Sequence, residues 1–334
     1  MSSFQASPFA KHLLRSQMRA RAEREQSDSA ARTSPFQVHW LDNIHPALHP
    51  EALAVEAAGE APLHPAVGAL NSSQAFALNL GLPFAEGRRE ALDAFISSQL
   101  GRDVQVEGVS FEYYGTGDYL AELAGPRPVV TDDPKKREHW TQVDIVFHLT
   151  AASGLSGLLL VEVKLTEGGF TQCGGRASPR NRDRTPCESA EAFLNDPGRC
   201  YLKRPRHASR DRRYWTIFPR AHGTLRAAFP GSDLSGPCPF AGHWQQPMRN
   251  HALALAACQA GDADFWGLAL LHHDGNPDVV GPWDSYRAAS ADKEHIYRWP
   301  ASTFLPALDA TFPLIDPGIG QWLEQRYQLG LRLP

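Results

Sequence analysis

Two neighbouring apolar runs carry charged residues at positions where a buried strand is normally apolar. The runs are 141–149 (TQVDIVFHL) and 157–165 (GLLLVEVKL), and both read as β-strands. Because residues i and i+2 of a strand share a face, Glu162 and Lys164 point the same way, opposite to the apolar residues around them. Burial of a carboxylate is costly without compensation, and Asp144 on the neighbouring strand adds a second acid. The pattern therefore indicates a cation between the two acids.

The rest of the pattern predicts helices around a small number of strands. A cap at Asn71–Gln74 precedes one helix, and Gly101 ends the next. Helices are predicted at 8–26, 71–80, 86–100, 243–260 and 319–328, short helical pieces near 188–195 and 212–218, and strands at 104–114, 141–149, 157–165 and 263–271. The order β, β, β, insertion, α, β indicates an α/β or α+β domain built on a mixed sheet.

The same pattern suggests how the chain is divided. Residues 1–70 are interpreted as an N-terminal arm and irregular segment, in which helix 8–26 is a solvated amphipathic arm or, alternatively, contacts DNA phosphates. The main domain is predicted at 71–334. Its parts are a core at 72–165 and 243–272, an irregular insertion at 166–242 and a C-terminal helical extension at 273–334.

Composition excludes several classes of protein. The chain has 334 residues, 42% of them hydrophobic, and a net charge of −4, which is ordinary for a globular protein. It lacks an apolar run long enough to cross a bilayer and a signal-peptide core, so a cytoplasmic protein without membrane contact is expected. The phosphate-loop, dinucleotide-binding, HExxH and GxSxG motifs are absent.

Positive charge is concentrated in the insertion. Residues 176–226 contain thirteen Arg or Lys and five Asp or Glu, an excess of eight positive charges in a protein of net charge −4. Arg and Lys bind nucleic-acid phosphates without reading sequence, and aromatic residues among them could stack on unpaired bases. Those aromatic residues are Tyr201, Tyr214, Trp215 and Phe218. The alternative is an ordinary solvated basic loop.

The acids at 144 and 162 suit a divalent cation. Mg²⁺ prefers oxygen ligands and keeps several waters, so two carboxylates on adjacent strands suffice to hold it. A bound ion makes water a better nucleophile towards phosphorus. Lys164 would orient or deprotonate that water, or neutralise the charge that develops on the phosphate.

Asp144 with the Glu162-Val163-Lys164 run resembles the PD-(D/E)XK nuclease superfamily, over about residues 72–272. The resemblance implies a restriction-endonuclease-like fold, a mixed central sheet flanked by helices, here with a Cys- and Arg-rich insertion. It implies that Asp144 and Glu162 bind Mg²⁺ or Mn²⁺, and the backbone carbonyl of Val163 on the same strand could join them. Thr141-Gln142-Val143 stands in place of the usual proline before Asp144, and the insertion delays the following helix.

Two further positions follow from this resemblance. An upstream glutamate often completes the metal site, and Glu112 on the first strand is preferred over Glu90 on the preceding helix. Many members carry a glutamine on the helix after the motif strand, a role that Gln246 or its neighbour Gln245 could fill. The expected function is a metal-dependent nuclease that hydrolyses phosphodiester bonds in DNA rather than RNA, in restriction, defence or repair. The alternative is a catalytically inactive nucleic-acid-binding module with a cysteine-ligated structural metal.

Four of the five cysteines fall in the insertion: Cys173, Cys187, Cys200 and Cys238. An irregular segment without a hydrophobic core of its own needs another source of stability, and a metal site with four thiolate ligands can supply it. Some branches of the superfamily hold an iron–sulfur cluster with four cysteines that bracket the nuclease core, whereas all four here follow Lys164. A 4Fe–4S cluster, Zn²⁺ and no metal stay open. Cys258, beside two alanines in a predicted helix, is expected to be an inert buried thiol.

Overall fold

A five-stranded mixed sheet forms the centre of the protein. The computed structural model describes residues 7–25, 35, 39–59, 61–85, 89–122, 140–203, 211–313 and 318–330. The strands are β1 (Val104–Tyr113), β2 (Val143–Ala151), β3 (Ser156–Lys164), β4 (Phe265–His272) and β5 (Ile296–Pro300). They lie side by side in chain order, with β1, β2 and β3 antiparallel and β3, β4 and β5 parallel. The predicted mixed sheet is confirmed.

Helices flank both faces of this sheet. Those in the described ranges are α1 (Pro8–Glu25), α2 (His49–Ala58), α3 (Ser73–Gly81), α4 (Glu90–Leu100), α5 (Gly174–Ala177), α6 (Thr185–Glu188), α7 (Ala190–Asn195), α8 (Tyr214–His222), α9 (Leu225–Ala228), α10 (Gln245–Ala260), α11 (Pro277–Ala289), α12 (Ala301–Thr311) and α13 (Ile319–Tyr327). As predicted, Ser72 caps α3 through its side chain and Gly101 ends α4 in the left-handed conformation, at φ 61°. Among these helices none has the length and apolar character needed to span a bilayer.

Each face of the sheet has its own hydrophobic core. Val161 and Val163 point into a core shared with α3, α4, α12 and α13. Leu158 and Leu160 point the other way, into a core shared with α8, α10 and α11. Glu162 lies on this second face, in line with those two leucines, because side chains alternate along a strand. The last helix of the connection from β3 to the parallel β4, α10, packs on this face and covers Glu162.

The region after residue 272 is more than the predicted helical extension. β5 pairs with β4 from Leu268↔Ile296 to His272↔Pro300, so the sheet continues beyond the expected core of 72–165 and 243–272. Only five residues long and ended by a proline, β5 has too little alternation to be recognised from its own sequence. The position of β5 in the sheet depends on its parallel pairing with β4, which lies about thirty residues earlier in the chain.

The N-terminal helix is not the solvated arm that the sequence suggested. The helix itself is confirmed, but Phe9 and Leu13 are fully buried in the first core. The Phe9 ring packs edge-on against His273, and the side-chain amide of Gln17 donates to the carbonyl of Leu70. Arginines spaced along α1 suggested a solvated face, whereas the narrow apolar stripe between them packs on the domain.

The insertion also departs from expectation, because it does contribute to a core. Phe193, Phe240 and Trp215 pack together, with ring centroids 4.9–5.7 Å apart. Tyr214, Trp215 and Phe218 are all buried. The prediction that these three rings could stack on unpaired bases is therefore wrong, and they stabilise the second core. Tyr201, in contrast, is only half-buried.

Candidate active site

Three acidic residues form one row across the first three strands. The residues on either side of Glu112 pair with those on either side of Asp144, so these two acids lie opposite each other. One position beyond the last β2–β3 pair, the same register places Asp144 beside Glu162. Lys164 follows on the same side of β3. Opposite residues in an antiparallel pair project to one face, so the sheet register brings these charges together.

Glu112 joins the row through an unusual backbone conformation. Its φ of 47° lies in the left-handed region, which residues other than glycine seldom adopt. Such strain persists where the surrounding structure enforces it and is concentrated at functional sites. Here the amide of Gln74, from the first turn of α3, donates to Glu112 Oε1 at 2.8 Å. Glu90, the alternative third acid, is exposed at the start of α4.

Glu162 is the most enclosed of the three acids, with 2% of its surface exposed. Its Oε1 accepts from Lys164 Nζ at 2.7 Å and from Gln246 Nε2 at 2.5 Å. Its Oε2 accepts from Asn250 Nδ2 at 2.6 Å. Gln246 and Asn250 are four residues apart on α10 and so share one face of that helix. The structure thus brings Gln246, rather than Gln245, to the motif glutamate.

Asn250 is a site residue that the sequence reasoning missed. A signal was present, because Asn250 follows Gln246 at helical spacing in a helix that otherwise buries alanine and leucine on this side. Asp144 is held from the other direction, where its Oδ2 accepts the backbone N–H of Val163 at 2.6 Å. That bond fixes the orientation of Asp144 against the motif strand. Val163 therefore contributes its N–H to the site, while its carbonyl as a metal ligand stays a prediction.

Burial and neighbouring charge raise the pKa values of two of these acids, Glu112 and Asp144. Burial raises the pKa of Glu112 to about 7, with Gln74 opposing the shift and Glu162 adding to it. Burial also raises the pKa of Asp144 well above its ordinary value, and the charge of Glu162 adds to that increase. For Lys164, burial lowers the pKa, but the neighbouring carboxylates outweigh burial and raise it above the ordinary value. The lysine therefore stays protonated at neutral pH.

These residues fit a divalent cation. A bound charge of +2 would favour the ionised forms of Glu112 and Asp144, and carboxylate oxygens are the ligands that Mg²⁺ and Mn²⁺ prefer. Within the described ranges, no three His, Cys, Asp or Glu side chains are already arranged around a metal position. Metal binding would therefore require the carboxylates to turn from their present hydrogen bonds.

A cavity of about 480 Å³ lies beside this cluster. Gln245 lines it, as does Thr171, whose N–H donates to Gln246 Oε1 at 3.1 Å. Arg180 and Arg212 from the insertion also line it. A third arginine that lines the cavity, Arg249, forms an ion pair with Glu122 at 3.0 Å. The other lining residues are Gln172, Gly174, Gly175, Ser178, Pro179, Tyr201, Leu202 and Tyr214. The insertion thus supplies two arginines to a cavity that is linked to Glu162 through Thr171 and Gln246.

The chain matches the family model REase-ARP, described as Restriction Endonuclease associating with ARP, over residues 17–328. The chain belongs to this family. REase-ARP membership indicates a restriction-endonuclease-like nuclease with a nucleic-acid substrate, and the five-stranded mixed sheet flanked by helices is consistent with that fold. The association with ARP is a statement of the family description. Neither the curated proteins nor the solved structures give a significant match.

Proposed function

We propose that this protein is a PD-(D/E)XK-type nuclease that hydrolyses phosphodiester bonds in DNA with the help of Mg²⁺ or Mn²⁺. The observation that carries the proposal is the row of Glu112, Asp144 and Glu162 on three adjacent strands, with Lys164 at 2.7 Å from the last of them. Membership of a restriction-endonuclease family supports DNA as the substrate.

The three carboxylates would hold the cation, which when bound would make a water molecule more acidic and neutralise charge on the phosphate. Lys164, protonated at neutral pH, would donate to the attacking water or to a phosphate oxygen rather than remove a proton. A cation placed where negative charge develops stabilises the transition state. Gln246 and Asn250 would hold Glu162 in a fixed orientation, as residues behind a metal ligand commonly do.

The position of the insertion supports a polyanionic substrate at this site. Arg180 and Arg212 line the cavity whose wall also includes Gln245, next to the glutamine that binds Glu162. Arginine at such a wall would bind phosphate oxygens and fix the register of a strand without reading its sequence. The arginines at the cavity wall and the row of acids would together suit a phosphodiester bound over a divalent cation.

The proposal is tested by Asp144→Asn, which removes one charge but keeps an oxygen that can accept the Val163 N–H. The matched control is Asp264→Asn, because Asp264 likewise accepts a backbone N–H of β3, from Ser156 at 2.8 Å, at the far end of the strand. Plasmid DNA is incubated with Mg²⁺ or Mn²⁺, and nicked and linear products are quantified. We expect Asp144→Asn to lose cleavage by at least about a hundredfold and the control to cleave like the native protein.

Two results would contradict the proposal in different ways. Equal cleavage by both variants would exclude Asp144 from the catalytic site. Absence of divalent-dependent cleavage of any DNA or RNA by the native protein, with DNA binding retained, would identify the catalytically inactive binding module. Binding is measured separately by fluorescence anisotropy at several salt concentrations, since phosphate contacts weaken as salt rises.

A further inference from the structure

The four cysteines of the insertion meet at one place in the structure. They come from four different turns of the chain, yet each of the six pairs is close enough for one thiol to affect the ionisation of the other. Two of them, Cys187 and Cys238, are buried, and the other two are half-buried. All are free thiols, with no disulfide among them. Cys258 stands apart, because among the described residues burial and the charge of Asp264, and none of these four cysteines, raise the pKa of its thiol.

Backbone hydrogen bonds hold these turns against one another. The N–H of Cys238 donates to the carbonyl of Cys187 at 3.2 Å, and the N–H of Cys173 donates to the carbonyl of Ala241 at 3.4 Å. The side-chain amide of Asn181 lies 3.6 Å from Cys187 Sγ. The cluster is therefore fixed by main-chain contacts and does not depend on the thiols themselves.

Each of the four sulfur atoms has a hydrogen-bond donor beside it, although burial raises the pKa of all four thiols. At Cys200 and Cys238 the backbone N–H two residues later lies beside the sulfur and favours its ionised form, and at Cys173 the N–H groups of Arg176 and Gly175 do so. Asn181 has the same effect at Cys187. A neutral thiol is a weak acceptor and gains little from such donors, whereas a thiolate gains much more. Inert buried cysteines pack as small apolar groups and do not need a donor at each of four sulfurs.

We propose that Cys173, Cys187, Cys200 and Cys238 bind a thiophilic metal centre as four thiolates, either a zinc ion or an iron–sulfur cluster. Four converging sulfurs are the ligand set that both share. The thiol protons would pass to solvent on binding. Since the described residues contain no ready-made metal arrangement, the cysteine side chains would rotate onto the metal while the backbone turns stay in place.

Such a centre would stabilise one wall of the cavity beside the acidic row. Gly174 and Gly175 directly follow Cys173, and Tyr201 and Leu202 directly follow Cys200; all four line that cavity. A Cβ at Gly175 would lie 3.1 Å from Leu202, so the two turns are already in close contact. This role depends on the cavity alone and does not require the protein to be a nuclease.

The test measures metal content and does not rely on activity. The full-length protein is purified without oxygen, and zinc and iron per chain are determined by mass spectrometry together with a visible absorption spectrum. We expect one zinc ion per chain without colour, or iron with the visible absorption of a sulfide-bridged cluster. Cys200→Ser should lose the metal, and the matched control Cys258→Ser should keep it.

A second measurement covers the case in which Cys200→Ser does not fold. Native protein and Cys258→Ser are stripped with a chelator and titrated with Co²⁺, whose thiolate complexes absorb strongly. A saturable thiolate–cobalt band in both would support the site even without the Cys200 variant. If the native protein carries no stoichiometric zinc or iron and forms no such band, or if folded Cys200→Ser keeps the metal, the proposal is wrong.

Discussion

The raised pKa of Glu112 makes a quantitative prediction about the stability of the metal-free protein. An unfolded glutamate ionises at its ordinary pKa of 4.5, whereas the folded one ionises at about 7. Between these values the folded state holds a proton that the unfolded state has released. The free energy of unfolding therefore falls as pH rises through this window, and 2.5 pKa units correspond to about 3 kcal/mol.

Glu112→Gln keeps an oxygen at this position but removes the titration. Near about pH 5 the variant and the native protein should have similar stability, because the native carboxyl is mostly neutral. Near about pH 8 the variant should be more stable by about 2 to 3 kcal/mol. The assay is urea unfolding at both pH values with a chelator present. Glu107→Gln is the matched control, since Glu107 is exposed on the same strand β1.

The same variant should respond differently to Mg²⁺. Binding to the folded state alone raises the unfolding free energy with ligand concentration, so the native protein should gain stability on adding Mg²⁺. Glu112→Gln should gain less, because one carboxylate is missing, and Glu107→Gln should gain as much as the native protein. If Glu112→Gln loses as much stability as the native protein between the two pH values, the inferred burial and crowding of Glu112 are wrong.

Two further predictions concern residues whose roles emerged from the structure. Asn250→Ala leaves a buried oxygen of Glu162 without its donor, so it should cost about 1–3 kcal/mol in thermal unfolding and reduce divalent-dependent cleavage. Gln259→Ala at the exposed end of α10 removes a hydrogen bond to the carbonyl of Ile217, away from the acids, so it should leave cleavage unchanged. Full cleavage by Asn250→Ala would exclude Asn250 from the site. Phe9→Ala should lower the free energy of unfolding by about 3–5 kcal/mol, because Phe9 is 1% exposed. Lys11→Ala on the exposed face of α1 should change it by less than about 0.5 kcal/mol. Equal small effects of the two substitutions would contradict the packing of α1 into the core.

The sequence by itself was sufficient for the parts that rest on local pattern. Alternation in two apolar runs predicted β2 and β3 and placed Glu162 and Lys164 on one face, and capping residues predicted the start of α3 and the end of α4. Alternation and capping involve residues close together in the sequence, so they can be recognised without knowing the tertiary structure. The mixed sheet followed from the order of those elements.

Tertiary structure decided everything that depends on distant partners. α1 is buried because α13 and His273 cover its apolar stripe, and the rings of the insertion are buried because α10 and α11 complete their core. Strand register, a long-range property, aligned Glu112 with Asp144 and Glu162, and the crossover of α10 brought Asn250 to the same carboxylate. The residue types at the site could be named from the sequence, whereas their convergence required the fold, because each acid lies on a different strand.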